Sequence, residues 1–308
     1  MKTFQSLSIT FALLVLAPAL TAATPVKIAM AENGKALIPI IISDNASGLT
    51  KANANKLADY LGKIAGAKFP VETGNGTRGI ILGLASDFPA LKLASTFNST
   101  DILKREEYLM RSHAEGLYVL GASDLAVQHG MWDLLARLGY RQFFPGKHWE
   151  VVPYLQRMEI AIDTIEKPDY HSRRIWYGYG AWDYAKEPYR DWCEKNRALQ
   201  GVNLSTGHAY DGIVKALKKE FANHNEYWPL LNNERKEVRN PKPCLGNPEI
   251  RSLIVRNAVE QVRKKPLLDS VSMDPSDGGG WCECKLCSKL GSVSDQAITL
   301  SNEVAAAI

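Results

Sequence analysis

The sequence predicts an α/β protein built in two blocks. In the first block, residues 26–153, short apolar runs such as 79–83 alternate with segments of helical spacing. In the second block, which follows residues 167–168, strand-like and helix-like segments alternate along the chain. Regular alternation of this kind is typical of a parallel sheet or a barrel with helices packed outside it.

The first block predicts a small α/β domain. The run at 37–43 indicates a strand, and Pro39 within it favours an edge position because proline cannot donate a ladder hydrogen bond. Residues 49–65 carry their apolar side chains at helical spacing and stop at Gly66. The other predicted elements are a strand at 79–83, a hairpin of 107–111 with 117–121, and a helix from 124 to 138.

The second block predicts three or four strand–helix units. The expected strands lie at 174–178, 202–206 and 268–273, and the expected helices lie at 188–199, 212–221, from 247 onward, and at 295–307. Asn247-Pro248-Glu249 combines a cap residue, a proline and an early acid, which marks a helix start. A complete (β/α)8 barrel needs about 250 residues, so these units predict a barrel that is incomplete in this chain.

The N-terminus predicts a secretory signal peptide over residues 1–23. Lys2 precedes an uncharged stretch, residues 7–17 are apolar, and Ala22 and Ala23 offer a cleavage site. The apolar run is shorter than the roughly 20 residues that span a bilayer, so cleavage is favoured over anchoring. The mature chain is therefore expected to be secreted or periplasmic, with no membrane span.

Composition excludes some classes of function. The formal net charge is only +4 over 308 residues, and lysine and arginine are scattered. Binding to nucleic acid is therefore not expected. A hydrophobic content of 45% is ordinary for a globular protein with a buried core.

The segment from residue 274 to 287 is the strongest candidate site. Asp274 and Asp277 follow a predicted strand, and ligands of parallel α/β folds bind beyond the C-terminal ends of strands. Three glycines and Trp281 come next, and Glu283 adds a third carboxylate. The two aspartates suit acid catalysis, and the indole suits stacking on a sugar. An ordinary turn uses the same residue types, and the pattern alone leaves both interpretations open.

Three cysteines in the same segment allow two interpretations. Thiolates of Cys282, Cys284 and Cys287 could bind zinc with a fourth ligand, for which Cys244 or Cys193 is available. A metal-binding protein is therefore one alternative. Export to an oxidising compartment favours a disulfide instead. The disulfide is the preferred prediction, with no metal and no cofactor expected.

Two further groups are candidates for substrate binding. Asn203, His208 and Tyr210 surround the end of the strand predicted at 202–206, where they could recognise hydroxyl groups. Arg174 and Trp176 lie in the strand predicted at 174–178. Alternatively, His208 has a structural role and Trp176 packs in the core.

These motifs resemble known glycosidase families. The stretches 121–124, 134–135, 138–145 and 152–153 resemble the domain that precedes the barrel in family 20 hexosaminidases and α-glucuronidases. Residues 207–210 and 271–287 are similar to a bacterial family long labelled as a domain of unknown function, glycoside hydrolase family 163. The resemblance implies an N-terminal domain at 24–160 and a partial TIM-barrel domain at 168–308, truncated at its C-terminus.

The resemblance also implies an activity. The expected function is a secreted endo-β-N-acetylglucosaminidase-like hydrolase in which the N-acetyl group of the substrate is the nucleophile. Its substrate would be a glycan or glycoprotein. Asp277 is the first candidate for a catalytic role, followed by Asp274 and Glu283. An α-glucuronidase-like hydrolase and a non-catalytic glycan-binding remnant are the alternatives.

Overall fold

The computed structural model describes residues 24–97, 100–173 and 182–308. The leader predicted at 1–23 and the strand predicted at 174–178 lie outside the described residues. Within those ranges, no helix has both the length and the apolar character that crossing a bilayer requires. The strands are β1 (Ile28–Glu32), β2 (Lys35–Ala36), β3 (Ile40–Ile42), β4 (Val71–Thr73), β5 (Gly79–Leu84), β6 (Tyr108–His113), β7 (Gly116–Gly121), β8 (Arg141–Gln142), β9 (Glu150–Val151), β10 (Arg157–Ile160), β11 (Asp163–Glu166), β12 (Leu230–Leu231) and β13 (Glu234–Arg235). The helices are α1 (Gly48–Ala65), α2 (Asp124–Arg137), α3 (Asp183–Lys195), α4 (Tyr210–Ala216), α5 (Lys218–Asn223), α6 (Pro248–Lys264), α7 (Lys285–Leu290) and α8 (Val293–Ala307).

The N-terminal block is built on a six-stranded mixed sheet. The strand order is β11-β6-β7-β5-β3-β4, in which β4, β3, β5 and β7 run parallel and the predicted hairpin β6–β7 is antiparallel. The apolar residues of α1 and α2 pack with this sheet in one core, which includes Leu57, Leu61 and the fully buried Trp132. Strand β11 pairs with β6, so the sheet continues to Glu166.

The edge position expected from Pro39 is wrong. Strand β3 lies between β4 and β5 in the interior of the sheet. The ladder starts one residue later, at Ile40, whose N–H donates to the Pro70 carbonyl at 2.9 Å. The carbonyl of Pro39 accepts from the Ile80 N–H at 2.8 Å. Proline therefore uses only its acceptor here, and its missing donor leaves no gap in the sheet.

One carboxylate ties the two helices of this block together. The Ser47 hydroxyl accepts from the Thr50 N–H at 3.0 Å and caps α1. The same hydroxyl donates to Asp124 Oδ1 at 2.7 Å, and the Thr50 hydroxyl donates to that oxygen at 2.9 Å. Asp124 is the first residue of α2, where a negative charge is favoured by the helix dipole. At its other end α1 stops at Gly66, in the left-handed conformation.

The sequence predicts a partial barrel in the C-terminal half, but the described residues of this half contain no closed barrel. The helices expected there are confirmed, including α6, which Asn247 caps at the Glu249 N–H. No regular strand forms at 202–206 or at 268–273, so these two predictions are wrong. Residues 203–207 and 269–274 are instead two neighbouring extended segments, with one isolated parallel bridge at His208 and Asp274. The core of this half is formed by helices α4, α5, α6 and α8.

Serine side chains explain why the two extended segments form no regular ladder. The Ser205 N–H donates to the Ser270 hydroxyl at 2.9 Å rather than to a backbone carbonyl. The Ser272 hydroxyl donates to the Gly207 carbonyl at 2.5 Å. Hydroxyl groups that bond to nearby backbone compete with sheet formation. The segments are therefore joined, but mostly through side chains.

The two halves contact each other largely through ions and polar groups. Glu194 of α3 pairs with Lys56 of α1 and accepts from the Trp132 indole N–H at 3.2 Å. Across the same interface are three more ion pairs: Arg105–Asp269 at 2.9 Å, Arg197–Asp133 at 2.6 Å and Lys195–Glu150 at 3.1 Å. Each half keeps an apolar core of its own, in residues up to 162 and from 209 onward.

At the centre of this interface lies Glu106, which is only 3% exposed. Its carboxylate accepts from the Gly201 N–H at 2.7 Å, faces His129 Nε2 at 3.1 Å and pairs with Arg173. Burial alone would raise the pKa of Glu106, but the hydrogen bonds from His129, Gly201 and Arg173 outweigh it, and the pKa is lowered. A buried carboxylate thus joins the two halves in its charged form.

Candidate active site

The candidate site lies where the two extended segments end. Their backbones meet again just past the bridge, where the Ala209 N–H donates to the Asp274 carbonyl at 2.8 Å. Because the segments run in the same direction, the residues that follow each of them reach the same place. The structure therefore brings together residues 207–210 and 274–281.

Within the site, the side chains of His208 and Asp277 contact each other. His208 Nε2 lies 3.2 Å from Asp277 Oδ2, and its Nδ1 lies 2.8 Å from the Pro275 carbonyl oxygen. A carbonyl only accepts, so Nδ1 carries a hydrogen. The contact between Nε2 and Oδ2 is an ion pair when the imidazole is protonated. The two side chains thus face each other within hydrogen-bonding distance, and both are open to solvent.

A second carboxylate, Asp274, lies beside this pair. Its Oδ2 accepts from the Gly207 N–H at 3.2 Å. Gly207 has a φ of +98°, which side-chain-bearing residues rarely adopt, while nothing lies within 4 Å of where its Cβ would be. The glycine is therefore required for its backbone conformation, which turns its N–H toward Asp274.

Tyr210 and Trp281 form the floor of the site. Their rings meet edge to face with centroids 6.4 Å apart. Tyr210 is fully buried, and its hydroxyl has no hydrogen-bond partner among the described residues. Burial and the negative charge of Asp274 raise the pKa of Tyr210 to about 12. The hydroxyl stays protonated and is an available donor close to that carboxylate.

Sequence reasoning missed Lys242. This side chain is fully buried. Its Nζ donates to the Asp277 carbonyl at 2.7 Å and to the Asn240 carbonyl at 3.2 Å. Burial lowers the pKa of Lys242, and the charge of Asp277 opposes that shift. Only its position between Pro241 and Pro243 sets it apart in sequence, and that pattern gives no hint of its partner.

The structure separates other predicted residues from the site. Asn203 lies at the opposite end of its segment from His208, and its side chain donates to the Leu267 carbonyl at 3.0 Å. Glu283 is held by the β12–β13 hairpin, where its Oε2 accepts from the Asn232 N–H at 3.0 Å. Arg174 and Trp176 lie outside the described residues.

Four cysteines meet immediately after the site. Cys244, Cys282, Cys284 and Cys287 are buried, and their sulfur atoms all lie within 4.8 Å of one another. All five cysteines are described, and none forms a disulfide, so the preferred prediction of a disulfide is wrong. Cys244 comes from a distant part of the chain and completes the group. Hydrogen bonds with Cys244 and Cys287 hold the pKa of the Cys282 thiol far below its usual range.

The model of one protein family, described as Domain of unknown function (DUF4838), matches residues 144–308. The chain belongs to this family. The match includes both extended segments, the candidate site and all five cysteines. The match confirms that this part of the chain belongs to a family labelled as a domain of unknown function. The assignment to glycoside hydrolase family 163 stays a prediction. No curated protein matches the chain.

Three solved structures are similar to this member of the family. A family GH115 4-O-methyl-α-glucuronidase with specificity for decorated arabinogalactans has a TM-score of 0.46 at 14% identity, over 90% of this chain and 40% of its own. The N-acetyl-β-hexosaminidase of Streptomyces plicatus has a TM-score of 0.39 at 15% identity, over 93% of this chain and 62% of its own. The GH20 β-N-acetylhexosaminidase of Streptomyces coelicolor A3(2) has a TM-score of 0.33 at 24% identity, over 49% of this chain and 25% of its own. The chain thus spans less than two thirds of each.

Proposed function

We propose that the chain is part of a glycoside hydrolase that acts on glycans containing N-acetylglucosamine. The observation that carries the proposal is the contact between His208 and Asp277, with the carboxylate of Asp274 beside it. Glycoside hydrolysis needs one group that protonates the leaving oxygen and one carboxylate that manages positive charge near the anomeric carbon. The motifs that carry the resemblance to family 163 contain these same three residues.

In the proposed reaction, Asp277 is the proton donor, and its neighbour His208 shares the proton with it. That proton passes to the glycosidic oxygen as the bond to the anomeric carbon breaks. The carbonyl oxygen of the substrate's own acetamide attacks the anomeric carbon, and Asp274 orients the acetamide N–H. Water then opens the cyclic intermediate and returns a proton to the pair, so the configuration at the anomeric carbon is retained.

The surrounding residues hold this arrangement. Lys242 fixes the backbone of Asp277 from below through its carbonyl. Trp281, half-buried against Tyr210, offers the rest of its indole to a sugar face. With the leader predicted at residues 1–23, we further propose that the hydrolase works outside the cytoplasm, where polymeric glycans are met.

Replacing Asp277 with asparagine is expected to reduce hydrolysis by about 10²–10⁴-fold, because the amide cannot carry the transferred proton. The measurement is release of chromophore from an aryl β-N-acetylglucosaminide and of N-glycan from a glycoprotein. Asp59→Asn is the matched control, since this aspartate pairs with Lys63 on the surface of α1. It should leave the rate unchanged.

Two results would contradict the proposal. Equal rates for Asp277→Asn and Asp59→Asn would remove Asp277 from the chemistry. Absence of release by the unaltered chain, with glycan bound equally by the chain and by Asp277→Asn, would identify a non-catalytic glycan-binding protein. Release of uronic acid instead of hexosamine products would favour the α-glucuronidase-like alternative.

A further inference from the structure

We propose that Cys244, Cys282, Cys284 and Cys287 bind one Zn²⁺ ion. Three of their sulfur–sulfur distances are 3.5 Å for Cys244–Cys284, 3.6 Å for Cys244–Cys282 and 3.8 Å for Cys244–Cys287. A zinc–sulfur bond of about 2.3 Å in tetrahedral geometry places the sulfur atoms about 3.8 Å apart. These three distances are close to that value, and all four sulfur atoms lie within 4.8 Å of one another.

Backbone donors point at the same sulfur atoms. The Gly246 N–H donates to the Cys287 sulfur at 3.1 Å, and the Leu230 N–H donates to the Cys282 sulfur at 3.3 Å. The Cys284 sulfur accepts from the Cys287 N–H at 3.4 Å and caps α7. Hydrogen bonds of this kind stabilise thiolates, which are the form that binds metal. They also orient the sulfur atoms, so the cluster is organised by three separate stretches of backbone.

The charge balance suits zinc bound by four thiolates. Zinc held by four thiolates is a centre with a charge of −2, and binding releases the protons of those cysteines that are still thiols. Arg235 lies beside it, with its Nη1 4.0 Å from the Cys282 sulfur. The same guanidinium nitrogen donates to the Glu226 carbonyl at 3.1 Å and to the Trp228 carbonyl, which hold it in place. This cation offsets part of the negative charge.

The burial of the four cysteines indicates a structural site rather than a catalytic one. All four side chains are at most 7% exposed, and four protein ligands fill a tetrahedral shell without leaving a position for water or substrate. Four sulfur ligands suit zinc or iron–sulfur chemistry, and the short sulfur–sulfur distances leave room for one ion rather than for a cluster with bridging sulfides. The ion would hold together the β12–β13 hairpin, the start of α6 and the start of α7.

Metal analysis of the purified full-length chain tests this proposal. We expect about one zinc per chain in the unaltered protein. Cys244→Ser and Cys287→Ser should reduce the zinc content at least tenfold. Cys193→Ser is the matched control, because Cys193 is buried in α3 outside the cluster. It should keep the zinc of the unaltered protein.

A second measurement needs no variant. Treating the unaltered chain with a mercurial thiol reagent in the presence of a metallochromic dye should release the zinc. In a separate sample without the mercurial, denaturation with a chelator and without reductant should reveal all five thiols. Metal-free protein, stoichiometric iron in place of zinc, fewer than five thiols, or equal zinc in Cys193→Ser and Cys287→Ser would each overturn the proposal. Neither measurement depends on hydrolytic activity.

Discussion

Replacing Glu106 with glutamine is expected to lower the free energy of unfolding by about 3–5 kcal/mol. The carboxylate is buried and receives hydrogen bonds from His129, Gly201 and Arg173. Glutamine keeps the shape but loses the charge, so the guanidinium of Arg173 keeps a partly buried charge without its partner. Urea denaturation of both proteins measures the difference. Glu72→Gln, an exposed change on strand β4, is the control and should alter stability by less than about 0.5 kcal/mol.

The same carboxylate predicts a pH dependence. The pKa of Glu106 is lowered in the folded protein, so the unfolded chain binds more protons in the acid range. Its contribution to stability is present above the ordinary glutamate pKa of about 4.3 and is lost as the pH falls through the lowered folded value. The difference between the unaltered protein and Glu106→Gln should therefore be largest near neutral pH and shrink in acid. A difference that stays constant down to low pH would contradict the charged carboxylate.

Replacing Gly246 with alanine is expected to destabilise the chain by about 3 kcal/mol and to disturb the cysteine cluster. The added Cβ would lie 2.3 Å from both the Leu286 carbonyl carbon and the Cys287 nitrogen. These are backbone atoms, so the start of α7 must move and the bond from the Gly246 N–H to the Cys287 sulfur is lost. Thermal unfolding and zinc content measure the two effects.

Gly212→Ala is the matched control for this change. Gly212 lies in α4 with nothing within 4 Å of a Cβ. Alanine favours helix over glycine by about 1 kcal/mol, so this variant should be as stable as the unaltered protein or slightly more so. If Gly246→Ala unfolded at the same temperature as Gly212→Ala, the close approach of α7 to residue 246 would be wrong.

Local signals in the sequence were sufficient for the helices and for much of the first sheet. The cap, proline and acid at 247–249 placed the start of α6, and Gly66 placed the end of α1. The prediction of strands at 202–206 and 268–273 was wrong because apolar content does not show which groups hydrogen-bond to the backbone. There, the serines at 205, 270 and 272 take up donors and acceptors that a ladder would use.

Both parts of the candidate site were predicted to follow strand ends, but the sequence alone did not predict that they meet. His208 and Asp277 both follow the ends of parallel segments, so their meeting follows from that direction. Asn203 begins its segment and was grouped with His208 only because the two are close in sequence. Lys242 and Cys244 lie 35 and 38 residues before Asp277 and Cys282, and no local pattern links them. Such partners are set by tertiary packing alone.

The ion pairs between the two halves make the junction sensitive to salt. Apolar contacts weaken on cooling, whereas ionic contacts weaken with added salt. The pair of Lys56 and Glu194 lies toward solvent and is screened first, while Glu106 is shielded by its burial. Rising ionic strength should therefore loosen this junction from its rim inward before either core melts.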